Sequence, residues 1–367
     1  EPHIRTSNPQ FCEKEVEPSS LLLSNCRFKR PSYSNQNPVT PGWNCFVMLE
    51  DKVSILIPTY NATPFLASTL QSVTSQIRTT DEIIVIDDHS DDGSMELAQN
   101  FLNHHHPNHI IQRNTEKGAC SARNRAFELS TGPLIQWLDA DDILGKGKLE
   151  TQRKSLHKNP NSLVVSPFIP FIDNTTSGAL QDNRDWTCPT VVSGADWLVS
   201  EKMTIPACWL GPRHIFEKAG PWDIQLKLNQ DGEYFTRALA RTESVIFERD
   251  VTVWYRRDNS TSASQFTAEK AASLFTSVGS IHKTALALEN SDRMKQMLAN
   301  RYQHAIYTAY PYSSSDIEKA KNTLQSLPKP TISNPNAVSR FSKIISFVFG
   351  WKALTQARLL RAKLQSR

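Results

Sequence analysis

From residue 53 onward, short apolar runs alternate with stretches whose apolar residues fall at helical spacing. Val53-Ser54-Ile55-Leu56-Ile57-Pro58 is a β-branched run closed by proline, the pattern of a strand buried on both faces in a parallel sheet. Thr63-Pro64 then opens a helix with Leu66, Leu70 and Val73 on one face. A second run, Glu82–Ile86, leads into Asp87-Asp88-His89-Ser90-Asp91-Asp92-Gly93-Ser94, where Ser94 is placed to cap a helix carrying Leu97 and Phe101. His109–Gln112 reads as a third strand, Ala119–Leu129 as a third helix and Pro133–Leu138 as a fourth strand. This order predicts βαβ crossovers in an α/β, doubly wound, mostly parallel sheet. Ligands of such a sheet bind beyond the carboxyl ends of its strands.

After Glu150 the alternation loosens into an apolar run, Leu163–Ile172, a stretch rich in tryptophan (Trp186, Trp197, Trp209, Trp222) and a helix near Gly232–Arg241. The pattern from Thr267 to Leu327 is helical, and Ser315-Asp316-Ile317-Glu318 reads as a capping box opening its last helix. Residues 1–50 hold Pro, Ser and Asn in quantity without periodicity and read as an irregular extension. The expected organisation is an extension over 1–50, a catalytic domain over 51–264, a helical extension over 265–330 and a basic amphipathic tail over 331–367.

Composition changes this picture little. With 367 residues, 39% hydrophobic and 21% charged, the chain has the make-up of a soluble globular protein of one extended domain or more. A net charge of +4 names no partner, and no nucleic-acid-binding motif stands out. The charge is unevenly spread, because Ala337–Arg367 carries seven Lys or Arg and no acid. No apolar stretch approaches the roughly 20 residues that span a bilayer. The chain starts at Glu1 with neither methionine nor a signal pattern, as a fragment or processed form would. Cys12, Cys26, Cys45, Cys120, Cys188 and Cys208 are scattered without a CxxC pair, which argues against a zinc site or a disulfide framework and fits a reducing cytosol.

The informative acids collect where strands two and four end. Asp139-Ala140-Asp141-Asp142 follows an apolar strand, so its carboxylates would meet at the mouth of the sheet and raise one another's pKa. A hard divalent cation, Mg or Mn, shared with phosphate oxygens relieves that repulsion. The competing reading is a helix N-cap with acids in the first turn.

Five motifs in order then carry a resemblance to glycosyltransferase family 2, whose members have the GT-A fold. They are Val53–Asn61, Val85–Ser94, Lys117-Gly118-Ala119-Cys120-Ser121-Ala122-Arg123-Asn124, Trp137-Leu138-Asp139-Ala140-Asp141-Asp142, and Gln230-Asp231; with the segment after the last, the match spans Val53 to about Ser262. The resemblance implies an inverting transfer from a nucleotide-sugar donor, a UDP-sugar in particular, to a hydroxyl of a saccharide or lipid-linked acceptor. It implies that Thr59 and Asp88 contact the base, that Asp139 and Asp141 hold metal, ribose and diphosphate with Asp142 beside them, and that Arg123 steadies the donor. Asp231 matches the family's catalytic base, although Gln230 replaces the acid that usually precedes it and Glu233 is a weak substitute. Trp254–Ser262 resembles a segment closing over the diphosphate, where Arg257 or Arg256 would neutralise phosphate.

Each assignment has a plainer alternative: Asp231 as a helix cap, Arg123 as a surface residue, Arg257 in a basic edge strand, Trp209 and Trp222 as core rather than sugar platforms. His104, His105, His106 and His109 have a loop composition and are read as non-metal. A sugar-phosphate nucleotidyltransferase would need a glycine-rich loop where Pro58-Thr59-Tyr60-Asn61 stands, and GxGxxG and GxxxxGK are absent. A catalytically silent nucleotide-sugar-binding protein is the rival of another class. The tail, with Phe341, Ile344, Phe347 and Trp351 among Arg340, Lys343 and Lys352, suits either an interfacial helix on anionic lipid or a helix docked on the domain. The first would place a cytoplasmic enzyme at the inner face of a membrane.

Overall fold

A computed structural model describes residues 51–172, 186–257, 266–334 and 351–356, all within one unit that begins at Met48. The expected extension over 1–50, with Cys12, Cys26 and Cys45, lies outside the described residues, as does most of the tail.

The first half follows the alternation closely. Strand β1 (Val53–Thr59) is buried along nearly its whole length, because both its faces are covered. It pairs in parallel with β2 (Glu82–Asp87) on one side and β4 (Leu134–Trp137) on the other, and β3 (His109–Arg113) extends the sheet beyond β2. Helices α1 (Thr63–Thr74), α2 (Ser94–His105) and α3 (Ala119–Leu129) make the crossovers. Ser94 is not the cap of α2. Gly93, at φ 87°, takes that position, and the Ser94 hydroxyl instead accepts from the Ala62 N–H ahead of α1. Asp92 likewise accepts from the Thr63 N–H at 2.9 Å, so the loop after β2 caps the helix after β1.

The sheet grows to eight strands through β9 (Trp209–Pro212), β6 (Ser162–Val165), β10 (Ser244–Phe247) and β8 (Val191–Val192), in the order β3-β2-β1-β4-β9-β6-β10-β8. It is mostly parallel, with β9 antiparallel to both its neighbours. The apolar run Leu163–Ile172 divides at Ser166-Pro167, since proline donates no ladder hydrogen bond. Its second part, β7 (Phe168–Phe171), joins β5 (Ile143–Leu144) and β11 (Val253–Arg256) in a separate three-stranded sheet.

On the sheet lie α4 (Lys148–Lys158), α5 (Gly194–Val199), α6 (Arg213–Ala219) and α7 (Gln230–Leu239). Three further helices follow: α8 (Ala268–Leu288), α9 (Asp292–Ala309) and α10 (Ser314–Leu324). Thr267 and Ser291 cap the first two through their side chains. The third opens two residues before the expected Ser315 box would place it, with Ser313 at the cap position donating to Asp316. Ile281, Ala285, Met294 and Leu298 from α8 and α9 join the apolar core of the sheet, so the helical extension is packed on the domain. Residues 351–356 are helical, and Trp351 packs edge-on against Tyr307 and Tyr310 at 5.0 and 5.1 Å. That part of the tail is docked. No helix among the described residues is long and apolar enough to cross a membrane.

Candidate active site

The carboxyl ends of β1, β2 and β4 meet, and the motif residues gather there. Thr59 lies opposite Asp87 in the parallel register, and the Asp88 N–H donates to the Thr59 carbonyl at 2.7 Å. Thr59 and Asp88 are both buried. The Asp88 carboxylate accepts from Asn114 Nδ2 and from the Gly118 N–H, each at 2.9 Å, tying the end of β2 to the start of α3. Gly118 sits at φ 140°, a conformation that side-chain-bearing residues rarely adopt.

Beyond β4, the Asp139–Asp142 segment caps no helix. It turns on itself, with the Asp142 N–H donating to the Asp139 carbonyl at 3.2 Å, and passes into β5. Thr69 of α1 donates to the Ala140 carbonyl at 2.9 Å, which anchors the turn. Burial, followed by the charge of Asp139, pushes the Asp141 carboxyl up to about 6. Asp142 is driven the same way by burial and by both neighbouring acids. Its side chain, however, faces the small sheet: Oδ1 accepts from the Arg256 N–H at 3.1 Å, and Oδ2 is buried without a partner. Asp142 thus has one oxygen engaged by the backbone of β11, which sets it apart from Asp139 and Asp141. Among the described residues no group of three His, Cys, Asp or Glu side chains converges to hold an ion. The crowded negative charge and the all-oxygen donor set still fit a hard divalent cation held by two carboxylates, Asp139 and Asp141, with substrate oxygens completing its shell.

Arg123 is buried, not a surface residue. Its Nη2 donates to Asp139 Oδ1 at 2.7 Å, and its guanidinium lies 4.6 Å from the Trp222 ring. Burial works against its charge, but Asp139 and then Asp231 outweigh burial and raise its pKa. Nη1 is buried without a hydrogen-bond partner. Asp231 stands in the first turn of α7, whose cap is Asn229 rather than Asp231 itself. Burial pushes the Asp231 carboxyl up to about 6, with Arg123 opposing the rise and Asp139 adding to it. One buried cation therefore links the acidic turn after β4 to the acid at the start of α7.

The remaining candidates separate. Glu233 is not a second site acid: it pairs with Arg237 at 2.8 Å and accepts from Ser280 at 2.7 Å. Gln230 donates to the Leu226 carbonyl at 2.6 Å. Arg257 is exposed past the end of β11, its N–H donating to the Phe171 carbonyl at 2.8 Å. Arg256, not Arg257, reaches the acidic turn: its Nε donates to the Asp141 carbonyl at 3.0 Å, with its guanidinium 4.5 Å from the rings of Phe65 and of Phe171. Asp258–Ser262 lie outside the described residues. Trp209 and Trp222 are core residues, Trp209 stacked on Phe235 at 5.2 Å and Trp222 on Tyr234 at 3.9 Å. His104, His105, His106 and His109 each bond a backbone carbonyl through a ring nitrogen, as expected of structural histidines.

Sequence reasoning assigned nothing to Asn124, beside Arg123 in the third motif. Its side chain exchanges hydrogen bonds with the Trp222 backbone, donating to the carbonyl at 2.9 Å and accepting from the N–H at 2.8 Å. It thereby fixes the ring under Arg123. Ser273, Ser277 and Ser280 of α8 were also unmarked. They accept from the Lys227 N–H at 2.7 Å, accept from Asn229 Nδ2 at 2.7 Å and donate to Glu233 respectively, holding the start of α7.

Residues 54–220 match the family described as Glycosyl transferase family 2. Over these residues, just under half of its length, the chain is similar to glycosyltransferase family 2. It is 40% identical over 182 residues to the uncharacterized glycosyltransferase YibD of Escherichia coli (strain K12), covering 44% of this chain and 48% of that protein. It is 36% identical over 100 residues to the putative teichuronic acid biosynthesis glycosyltransferase TuaG of Bacillus subtilis (strain 168), covering 27% and 40%. It is 32% identical over 126 residues to the Escherichia coli UDP-Glc:alpha-D-GlcNAc-diphosphoundecaprenol beta-1,3-glucosyltransferase WfgD, covering 34% and 49%. The chain thus spans under half the length of each of these relatives. Among solved structures, S. aureus TarS 1-349 in complex with UDP-GlcNAc superposes with a TM-score of 0.60 at 15% identity, over 76% of this chain and 82% of that one. The complex of the same protein with UDP gives 0.59 at 14%, over 84% and 91%. At such identity the likeness shows the fold, which is the GT-A fold that the sequence motifs imply.

Proposed function

We propose that the protein transfers a glycosyl group, with inversion, from a UDP-sugar to a hydroxyl of a saccharide or lipid-linked acceptor, with Asp231 as the base. One observation carries this reading: buried Arg123 is hydrogen-bonded to Asp139 and electrostatically coupled to Asp231, so the donor-side acids and the basic carboxylate share one centre. The relatives named for teichuronic acid biosynthesis and for glucose transfer onto a diphosphoundecaprenol-linked sugar, and the TarS complexes with UDP and UDP-GlcNAc, support the donor and acceptor classes.

An acceptor hydroxyl is a weak nucleophile until a positioned base takes its proton as it attacks the anomeric carbon. A carboxylate whose pKa stands near 6 is ionised at neutral pH, yet basic enough to accept that proton in the transition state. Asp231 takes it, the new glycosidic bond forms on the face opposite the breaking one, and the nucleoside diphosphate leaves with the electron pair. A single carboxylate on the acceptor side suffices for one displacement. Arg123 keeps Asp231 ionised and holds Asp139 in place; Thr59 and Asp88 line the base end. Mg or Mn held by Asp139 and Asp141 would supply stabilisation of the charge developing on the diphosphate.

The test is a screen of UDP-sugars with Mn or Mg, reading UDP release, with Asp231→Asn and Asp141→Ala alongside. Wild-type turnover by both variants would end the assignment. UDP binding without turnover of any donor by the unmodified protein would favour a silent binding protein instead.

A further inference from the structure

Behind the donor site lies a second space. A cavity of about 790 Å3 opens between the turn after α5, the start of α7, and α8 and α9. That is the size of a small-molecule site. Asp139, Asp141 and Arg123 do not line it, but Asp231 does. The acid at the start of α7 therefore belongs to two surroundings, the acidic turn on one side and this cavity on the other.

The cavity wall carries cations. Lys202, Lys227, Arg301 and His304 line it, against two acids, Glu201 and Asp231. Arg301 is the informative one. Its only side-chain hydrogen bond among the described residues runs from Nε to the Met297 sulfur at 3.0 Å, a weak acceptor, which leaves the terminal guanidinium hydrogens to a ligand. Burial lowers its pKa, and Glu201 counteracts this through space without forming an ion pair with it among the described residues. A half-buried guanidinium with no hydrogen-bonded carboxylate among the described residues is left to water or to an anionic ligand. His304, one turn along α9, extends the same wall. The head of Arg301 ends at the wall of a cavity that also contains the proposed base.

We propose, building on the transfer reaction above, that the acceptor carries an oxyanion, phosphate or carboxylate, which seats on Arg301 while its hydroxyl is presented to Asp231. The planar guanidinium offers two parallel donors to such a group. The neutral part of the acceptor then lies along the apolar stretch of the wall formed by Trp197, Leu198 and Phe235.

Titration calorimetry on the whole chain tests this with glycerol 3-phosphate and glucuronate as charged probes and glycerol and glucose as neutral ones. The charged probes are expected to bind at least tenfold more tightly than their neutral counterparts. Arg301→Gln should abolish that preference and Arg301→Lys retain part of it. Comparing the two charged probes tells a phosphate-bearing acceptor from a carboxylate-bearing one. Equal affinity for charged and neutral probes overturns the proposal, as does an unchanged preference in Arg301→Gln; circular dichroism of each variant reports that it is folded. UDP titrated with Mn separates the two ideas: if UDP fails to bind while the anion preference stands, the transfer reading falls and the cavity remains an oxyanion site.

Discussion

Arg123 donates to Asp139 at 2.7 Å across the gap between α3 and the turn after β4, and the side chains of the pair are 8% and 29% exposed. This contact ties a helix residue to the acidic turn. It also explains why Arg123 is buried: neighbouring carboxylates and the Trp222 face replace the water that the guanidinium gave up.

Arg123→Ala leaves Asp139 and Asp231 without their shared cation. Turnover is expected to fall roughly 100-fold, the scale seen when a preorganised charge is removed from a site. Because Arg123 lowers the Asp231 pKa, the acid limb of kcat/KM should also move to higher pH in whatever activity remains. A limb that stays in place would show that the two residues do not interact.

Asp231 itself predicts a pH profile. Activity should drop as pH falls through about 6, where the base takes up a proton. Stability runs the other way. The folded pKa lies above the ordinary carboxylate value, so the protonated form stabilises the fold below about 4, and that contribution is lost as pH rises through 6. Asp231→Asn should therefore raise the melting temperature at pH 7, by about 1–2 kcal/mol of stability, and make little difference at pH 3.5. Thermal melts at the two pH values check both signs.

Asp139 and Asp141 are expected to make UDP release depend on added Mg or Mn and stop with a chelator. Asp141→Asn should raise the half-saturating metal concentration at least tenfold. Asp142→Asn should move it far less, because that side chain faces the Arg256 backbone. A metal titration of the three proteins distinguishes them.

Glu233→Ala breaks the bonds to Arg237 and Ser280. A loss of about 1–3 kcal/mol is expected, since it strands a partly buried guanidinium. Denaturant unfolding measures it. At permissive temperature the pH profile should keep its acid limb near 6, a result that would exclude Glu233 as a second base.

Trp351 lodges against Tyr307 and Tyr310, so amides of 351–356 should exchange slowly with deuterium and lose that protection in Trp351→Ala. Co-sedimentation with anionic liposomes, with and without residues 337–367, tests the lipid-binding reading of the tail. Protection that disappears on adding liposomes would mean that the docked helix trades one surface for another.

The first half of the domain was legible because strands buried on both faces leave continuous apolar runs, as in β1 and β2, and because proline and glycine punctuate them at Pro64 and Gly118. The small sheet was not legible: β5 has two residues and β7 four, too short to show a period. Periodicity marked the acids at strand ends but could not say which way each points, so Asp142 was grouped with Asp139 and Asp141 although it bonds across to β11. Arg256 and Arg257 could not be separated for the same reason. Asn124 and the serines of α8 left no mark because a polar residue that bonds a distant backbone has no signature in its own neighbourhood.

The serines of α8 have one consequence for how this protein can be divided. All five family motifs end by Asp231, well before α8 begins, yet the helix turn that aims Asp231 is fastened by Ser273, Ser277 and Ser280. A protein cut after residue 264 would keep every recognisable motif and lose the brace behind its base. The smallest piece that keeps the turn of Asp231 fastened is therefore longer than the stretch its motifs mark out.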